Sequence, residues 1–185
     1  MLKRTCGLGA VVVLGIACGG GAKESAGAVT QPAAAAAPVA IATLESKSGS
    51  QTGGSAAFAP LPDGSVQVVI NVTKATPGPH GTHLHATGDC SAPDAASAGG
   101  HFNPDNTAHG APEHPPHHAG DLGNIQVGAD GTGTLTLNLK DVTLDDGSRS
   151  VIGKAVVVHQ QADDLAGQPA GNSGARVACG VISKK

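Results

Sequence analysis

The sequence predicts an all-β domain, an antiparallel Greek-key sandwich or flattened barrel of about eight strands connected by long loops. The 28 Gly and 12 Pro residues suit many short strands joined by turns. Because the chain has two Phe and no Trp or Tyr, its core must come from Val, Ile, Leu and Ala. Outside the N-terminal segment, no stretch shows a helical period.

Strand positions follow from the alternation of apolar and polar residues. Residues 135–139 alternate Leu with Thr and Asn, which gives a strand one apolar and one polar face. Residues 65–72 and 39–44 show a similar pattern. Three Asp-Gly pairs mark predicted hairpin turns, namely Asp63-Gly64, Asp130-Gly131 and Asp146-Gly147.

Residues 1–17 are predicted to be a signal peptide. Lys3 and Arg4 begin it, and the apolar stretch that follows is too short to span a bilayer. Residues 15–18 resemble a bacterial lipoprotein cleavage box, in which Cys18 becomes the lipidated first residue. Ordinary secretion with later cleavage stays open as an alternative, because Gly15 stands where that box usually has an apolar residue.

The predicted signal peptide is followed by a segment rich in Gly and Ala. Residues 18–38 are predicted to form a flexible tether, and residues 39–185 the folded domain. We therefore expect an exported protein of the periplasm or cell envelope, attached to a membrane only through a lipid on Cys18.

All nine histidines lie between His80 and His159, and some of them suit a copper site. His83 and His85 are two residues apart, so their rings project from one face if the segment is a strand. With His101 and His159 they would make a set of four imidazoles. Nitrogen ligands without a thiolate suit copper better than a hard cation such as magnesium or calcium.

A second predicted ligand set shares one residue with the first. His101, His109, His118 and Asp121 offer three nitrogens and one carboxylate oxygen, a tetrahedral zinc arrangement that leaves no position for water. Such a zinc site is structural. A solvated His-rich loop is the alternative, but it gives no reason for Asp121 to follow His118 by three residues.

The other three histidines are not predicted to be ligands. His114 and His117 are expected to be exposed loop residues, with auxiliary metal capture as the alternative. His80 precedes the predicted strand of His83 and is expected to lie behind a ligand rather than to be one.

On these residues the chain resembles the secreted bacterial copper/zinc superoxide dismutases over residues 39–182. The resemblance implies dismutation of superoxide to oxygen and hydrogen peroxide by alternating reduction and oxidation of one copper ion, with one structural zinc ion per chain. The blocks that carry it occur in the family's order: Gly81–His85, Gly88–Cys90, Gly99–Pro104, His109-Gly110, His118–Asn124, Val156–Asp164 and Gly174–Ile182.

The resemblance also implies roles for single residues in the long metal-binding and active-site loops. His101 would bridge the two metals and deliver a proton, and Arg176 would attract the superoxide anion with its permanent charge. Asp163 would join a copper histidine to a zinc histidine. The alternatives are a backbone clamp for Arg176 and a turn-stabilising carboxylate for Asp163.

Cysteine usage agrees with export. Cys6 would leave with the signal peptide and Cys18 would be acylated, so Cys90 and Cys179 remain in the domain. An even pair in an exported protein predicts a disulfide, with two buried free thiols as the alternative. By resemblance, this bond would hold Arg176 near the copper.

Charge bears on the substrate. From Cys18 onward the formal charge is about −5, since the signal peptide takes two of the eleven basic residues and none of the fourteen acidic ones. No Lys or Arg lies between His159 and Arg176, so weak steering of superoxide is predicted. We expect no nucleic-acid partner, and the sequence leaves a homodimer and a monomer equally open.

Two other functions are alternatives to dismutation. A copper/zinc-binding or copper-delivery protein on the same fold would be favoured by a replaced copper ligand, and none is replaced. A lipid-tethered interaction domain would need an exposed apolar or aromatic patch, for which this aromatic-poor chain offers little material.

Overall fold

The computed structural model describes residues 36–185. The predicted signal peptide, Cys18 and most of the predicted tether lie outside the described residues, so the division of the chain at residues 17 and 38 stays a prediction. Within the described part, no helix has the length and apolar character needed to cross a membrane. The strands are β1 (Ala40–Ser46), β2 (Gly53–Pro60), β3 (Val66–Thr73), β4 (Gly78–His85), β5 (Asp121–Val127), β6 (Gly133–Leu139), β7 (Ala155–His159), β8 (Arg176–Val181) and β9 (Ser183–Lys184).

Eight antiparallel strands close into a barrel in the order β2-β3-β6-β5-β4-β7-β8-β1, because β1 also pairs with β2. The two-residue β9 adds to the edge of β1. At two seams the ladder is thin: β5 and β6 share only the pair Val127↔Gly133, and β1 and β8 share two pairs. Thin seams on opposite sides flatten the barrel into two packed half-sheets.

The predicted fold class is therefore confirmed, and so are the three strands predicted from alternation. Asp63-Gly64 joins β2 to β3 and Asp130-Gly131 joins β5 to β6, as expected for hairpins. The third predicted hairpin is wrong. Asp146-Gly147 lies in the loop between β6 and β7, where Thr143 and Ser150 form a parallel bridge. An Asp-Gly pair specifies a turn, and only flanking strands make the turn a hairpin.

Aliphatic side chains fill the barrel, as the composition predicts. Phe58, Ile70, Leu84 and Ile125 are fully buried at its centre, with many valines around them. Two long connections lie outside the barrel wall, residues 86–120 between β4 and β5 and residues 160–175 between β7 and β8. Apart from the short 3₁₀ helix Ala96–Ala98, the described part of these loops is irregular. Both loops approach β4 and β7, which positions the site.

Candidate metal centre

Strand β4 carries the first two candidate ligands. Leu84 points into the barrel core, so His83 and His85 on either side of it point outward together, as alternation requires. Both rings are nonetheless buried, because the two long loops cover this face of the strand. His159 is the last residue of the neighbouring strand β7, whose other four residues all pair with β4.

Four rings converge to form the all-histidine set, which consists of His83, His85, His101 and His159. One ring nitrogen of each lies within 4.8 Å of the others. Nδ1 of His83 and Nε2 of the other three are buried and lack a hydrogen-bond partner. An unpaired buried polar atom is costly, and four around one point fit a metal ion that accepts their lone pairs.

The mixed set consists of His101, His109, His118 and Asp121, whose ligand atoms also lie within 4.8 Å of one another. Oδ1 of Asp121 lies 2.8 Å from Nδ1 of His101, 3.0 Å from Nδ1 of His109 and 3.2 Å from Nδ1 of His118. Nδ1 of His109 is close to this oxygen but is not oriented to form a hydrogen bond with it. Three nitrogens and an oxygen directed at one point suit tetrahedral zinc.

His101 belongs to both sets through opposite ring atoms. Nε2 faces the all-histidine set without a partner, and Nδ1 faces Asp121. An imidazole that uses both nitrogens as ligands carries no N–H hydrogen and is an anion, so a cation on each side would be needed to stabilise that form.

Asp163 connects the sets from behind. Oδ2 accepts a hydrogen bond from Nε2 of His83 at 2.8 Å, and Oδ1 accepts one from Nε2 of His109 at 2.9 Å. Each bond leaves Nδ1 of that ring free to bind a metal ion. The backbone N–H of Leu165 also donates to Oδ1 at 2.7 Å, so the bridging and turn-stabilising roles coexist.

Arg176 lies where β8 begins, in register with His159. Nη1 donates to the carbonyl oxygen of Ala95 and Nη2 to that of Gly99, both at 2.7 Å. The backbone-clamp role therefore exists. The half-buried guanidinium retains further donors and stands beside the all-histidine set, where His85 bonds to the same Gly99 oxygen.

Burial keeps the all-histidine set ready for a metal ion. Burial lowers the pKa of His83 to about 4 and that of His159 to about 3, and it also lowers the pKa of His85. The hydrogen bond from His83 to Asp163 opposes the first of these shifts without cancelling it. The rings of His83, His85 and His159 are consequently neutral at neutral pH, the form that binds metals.

Asp121 and Asp163 are ionised despite burial. Desolvation alone would raise the pKa of each carboxyl. For Asp121, hydrogen bonds from His101 and from the backbone N–H groups of His118 and Gly110 reverse this, and its pKa falls below the usual range. The pKa of Asp163 is likewise lowered by its hydrogen-bond donors, led by His83. Two carboxylates therefore offset part of the charge that two metal ions would bring.

The remaining histidines lie outside both sets. His114 is exposed, and His117 is half-buried with Nδ1 2.9 Å from the carbonyl oxygen of His118. His80 lies within β4 rather than before it, which corrects the sequence-based placement. Its Nδ1 lies 2.7 Å from the carbonyl oxygen of His159, so it does stand behind a candidate ligand.

A disulfide joins Cys90 to Cys179 and closes a loop of 89 residues. Cys179 is fully buried in a small cluster with Ala95, Ala98 and Val157. Cys90 lies in the loop between β4 and β5, which also presents the two carbonyl oxygens that bind Arg176. The disulfide therefore holds that loop against β8 beside the site.

Sequence reasoning missed the carboxamide of Asn124 at the site. Asn124 on β5 pairs with the backbone of Asp163 at two points: Nδ2 donates to its carbonyl oxygen at 2.9 Å, and Oδ1 accepts from its N–H at 2.7 Å. The segment His118–Asn124 is one of the blocks that carry the family resemblance. Nothing in its spacing, however, predicts that the Asn124 amide bonds to the backbone of Asp163.

Comparisons with known proteins agree with this geometry. The sequence pattern of the copper/zinc superoxide dismutase family matches residues 52–182. The chain is 45% identical over 148 residues to superoxide dismutase Cu-Zn 2 of Brassica juncea, which covers 77% of this chain and 95% of that protein. The range that the family pattern matches contains both ligand sets, Asp163 and Arg176.

Solved structures show the same likeness. A SOD-like protein from Bacillus subtilis is 38% identical with a TM-score of 0.69, covering 76% of this chain and 95% of the other. The clock protein EA4 is 37% identical with a TM-score of 0.72, covering 81% and 97%. Since one family pattern covers seven of the eight barrel strands and both ligand sets, which fit copper and zinc, the chain belongs to the copper/zinc superoxide dismutase family.

Proposed function

We propose that the protein dismutates superoxide to oxygen and hydrogen peroxide, with one copper ion in the all-histidine set and one zinc ion in the mixed set. One observation carries the proposal: His101 presents its two ring nitrogens to two different, complete ligand sets. A lone structural metal needs no such shared ring.

The chain's own residues divide the work. Copper, when bound, would supply reversible one-electron exchange with superoxide. His83, His85 and His159 hold that position, each with its second ring nitrogen bonded to a fixed acceptor. The mixed set holds the ring of His101 from its Nδ1 side. Nε2 of His101 is then the atom at which the chain would carry one of the two protons that hydrogen peroxide requires, and solvent would supply the other.

Arg176 would bind the substrate anion. Its guanidinium is held by two backbone carbonyls and still has free N–H groups for a superoxide ion. Burial lowers the pKa of Arg176, but the pKa of a guanidinium starts so far above neutral pH that the group stays charged. A fixed cation beside a redox site selects anions.

The test combines metal analysis with direct measurement of superoxide decay. Wild type should contain copper and zinc and accelerate decay. His159→Gln should retain zinc and lose most of the acceleration, because one copper ligand is gone. His114→Asn, an exposed histidine, is the matched control and should behave as wild type. Stoichiometric copper and zinc in wild type without accelerated decay would exclude dismutation.

A copper/zinc-binding or copper-delivery protein without dismutase activity is the second candidate. Two solved relatives favour it, because one is named SOD-like and the other is named a clock protein. The scarcity of basic residues around the loops points the same way. Copper-loaded protein that leaves superoxide decay unchanged but passes Cu(I) to a competing chelator would support this candidate.

We also propose export followed by lipid attachment at Cys18. The basic start, the apolar stretch and the cleavage-box resemblance support it, as does a disulfide in the folded domain. Membrane fractionation of wild type and Cys18→Ala tests it, since the variant should be released from the membrane fraction.

A further inference from the structure

The carboxamide of Gln168 pairs with the backbone of His109 at two points. Oε1 accepts the N–H of His109 at 3.0 Å, and Nε2 donates to the carbonyl oxygen of His109 at 2.9 Å. The side chain thus imitates one rung of an antiparallel ladder. Among the described hydrogen bonds, these are the ones that engage the backbone of His109.

The ring of His109 is held by the same loop. Asp163, five residues before Gln168, accepts the hydrogen bond from Nε2 of His109. One segment therefore fixes His109 twice, its backbone through Gln168 and its ring through Asp163. Residues 101–120, which contain His109, contribute neither contact.

The support under Gln168 is itself built from hydrogen bonds. Oδ1 of Asp164 accepts from the N–H groups of Ala166 and Gly167, and the N–H of Gly171 donates to the carbonyl oxygen of Gly167. This braced turn fixes the position of Gln168 through contacts within its own loop. Preorganisation of this kind lowers the ordering cost of binding.

We propose that Gln168 is a positioning residue for His109 and controls how long the mixed set retains zinc. The inference rests on the proposed function, which places zinc there. Without the Gln168 side chain, the backbone of His109 would lose both of these hydrogen bonds and could move, while Asp163 would still hold the ring of His109. The all-histidine set makes no contact with Gln168 among the described hydrogen bonds, so copper retention should not change.

The test measures metal release from holoprotein into an excess of chelator. Gln168→Met keeps the length of the side chain and loses both bonds, and Gln168→Ala removes the side chain. Zinc should leave both variants about tenfold faster than wild type, as for other groups that orient metal ligands. Gln160→Met is the matched control: an exposed glutamine of the same loop whose side chain makes no described hydrogen bond.

Two further readouts separate positioning from general loosening. Cobalt in place of zinc should show altered absorption bands in Gln168→Met, because these report ligand geometry. Copper release and the melting temperature of metal-free protein should match wild type. Zinc release at the wild-type rate, or equal acceleration of copper release, would overturn the inference. Failure of wild type to bind zinc or cobalt would instead overturn the proposed function, and the inference with it.

Discussion

Arg176 and His85 share one hydrogen-bond acceptor, the carbonyl oxygen of Gly99. Nη2 of Arg176 donates to it at 2.7 Å, and Nδ1 of His85 lies 2.9 Å from it. A carbonyl oxygen only accepts, so Nδ1 of His85 carries the hydrogen and Nε2 is left to bind a metal ion. One backbone atom thus fixes both the tautomer of a candidate ligand and the position of the guanidinium.

Removal of the guanidinium should slow the reaction with superoxide. The second-order rate of Arg176→Ala should fall about tenfold and lose most of its dependence on ionic strength, because no other cation lies in the neighbouring loop segment. Arg176→Lys keeps the charge and should retain most of that dependence. Superoxide decay at low and high salt measures both; a steep salt dependence in Arg176→Ala would show that other charges steer.

Asp163→Asn should weaken the zinc site. An amide presents one oxygen and one NH₂ group, so it cannot accept from His83 and His109 at once. Zinc affinity should fall about 10- to 100-fold, as for other partners of ligand histidines. Competition with a chelator measures this, and Asp145→Asn is the control, because Asp145 is exposed and its side chain makes no described hydrogen bond. Equal zinc affinity in the two variants would contradict the bridging role.

Loss of the disulfide should lower stability. Replacement of Cys90 and Cys179 by Ser frees a loop of 89 residues, and the chain-entropy argument predicts a loss of about 4 to 5 kcal/mol in the free energy of unfolding. Urea unfolding of metal-free wild type and variant measures it. Activity of the metal-loaded variant should fall as well, since the loop that holds Arg176 is no longer tied to β8; unchanged activity would argue against that link.

Acidification should destabilise the metal-free protein between about pH 6.5 and 4. Unfolded histidine takes up a proton near pH 6.5, whereas burial holds the pKa of His83 at about 4 and that of His159 at about 3. The unfolded state therefore binds more protons in this window, and stability falls by roughly 1 kcal/mol per pH unit for each such ring.

One histidine acts in the opposite direction. Burial lowers the pKa of His109, but its hydrogen bond to Asp163 and the charges of Asp121 and Asp163 outweigh burial and raise it. The net effect is still a loss of stability, because the pKa is lowered for four buried rings, those of His83, His85, His118 and His159, and raised for one. Urea midpoints of metal-free protein at several pH values test this, and a midpoint that rises on acidification to pH 5 would contradict it.

The all-β class and the candidate ligands were accessible from the sequence because both are local signals. Alternation along residues 135–139 predicts a strand wherever that segment lies. Two histidines on one strand share a face whatever surrounds them. The third Asp-Gly pair shows the limit, since the same dipeptide turns a loop when its flanks do not pair.

The contacts that orient the ligands depend on segments far apart in the chain. The sequence by itself determined the fold class, the family resemblance and which side chains are able to bind metals. Only the tertiary structure decided that Asn124 holds Asp163, that Gln168 holds His109 and that Gly99 serves both His85 and Arg176. No periodic pattern in the sequence predicts the hydrogen-bond partner of a side-chain amide or a backbone carbonyl. These partners are determined by how the two loops pack against the barrel.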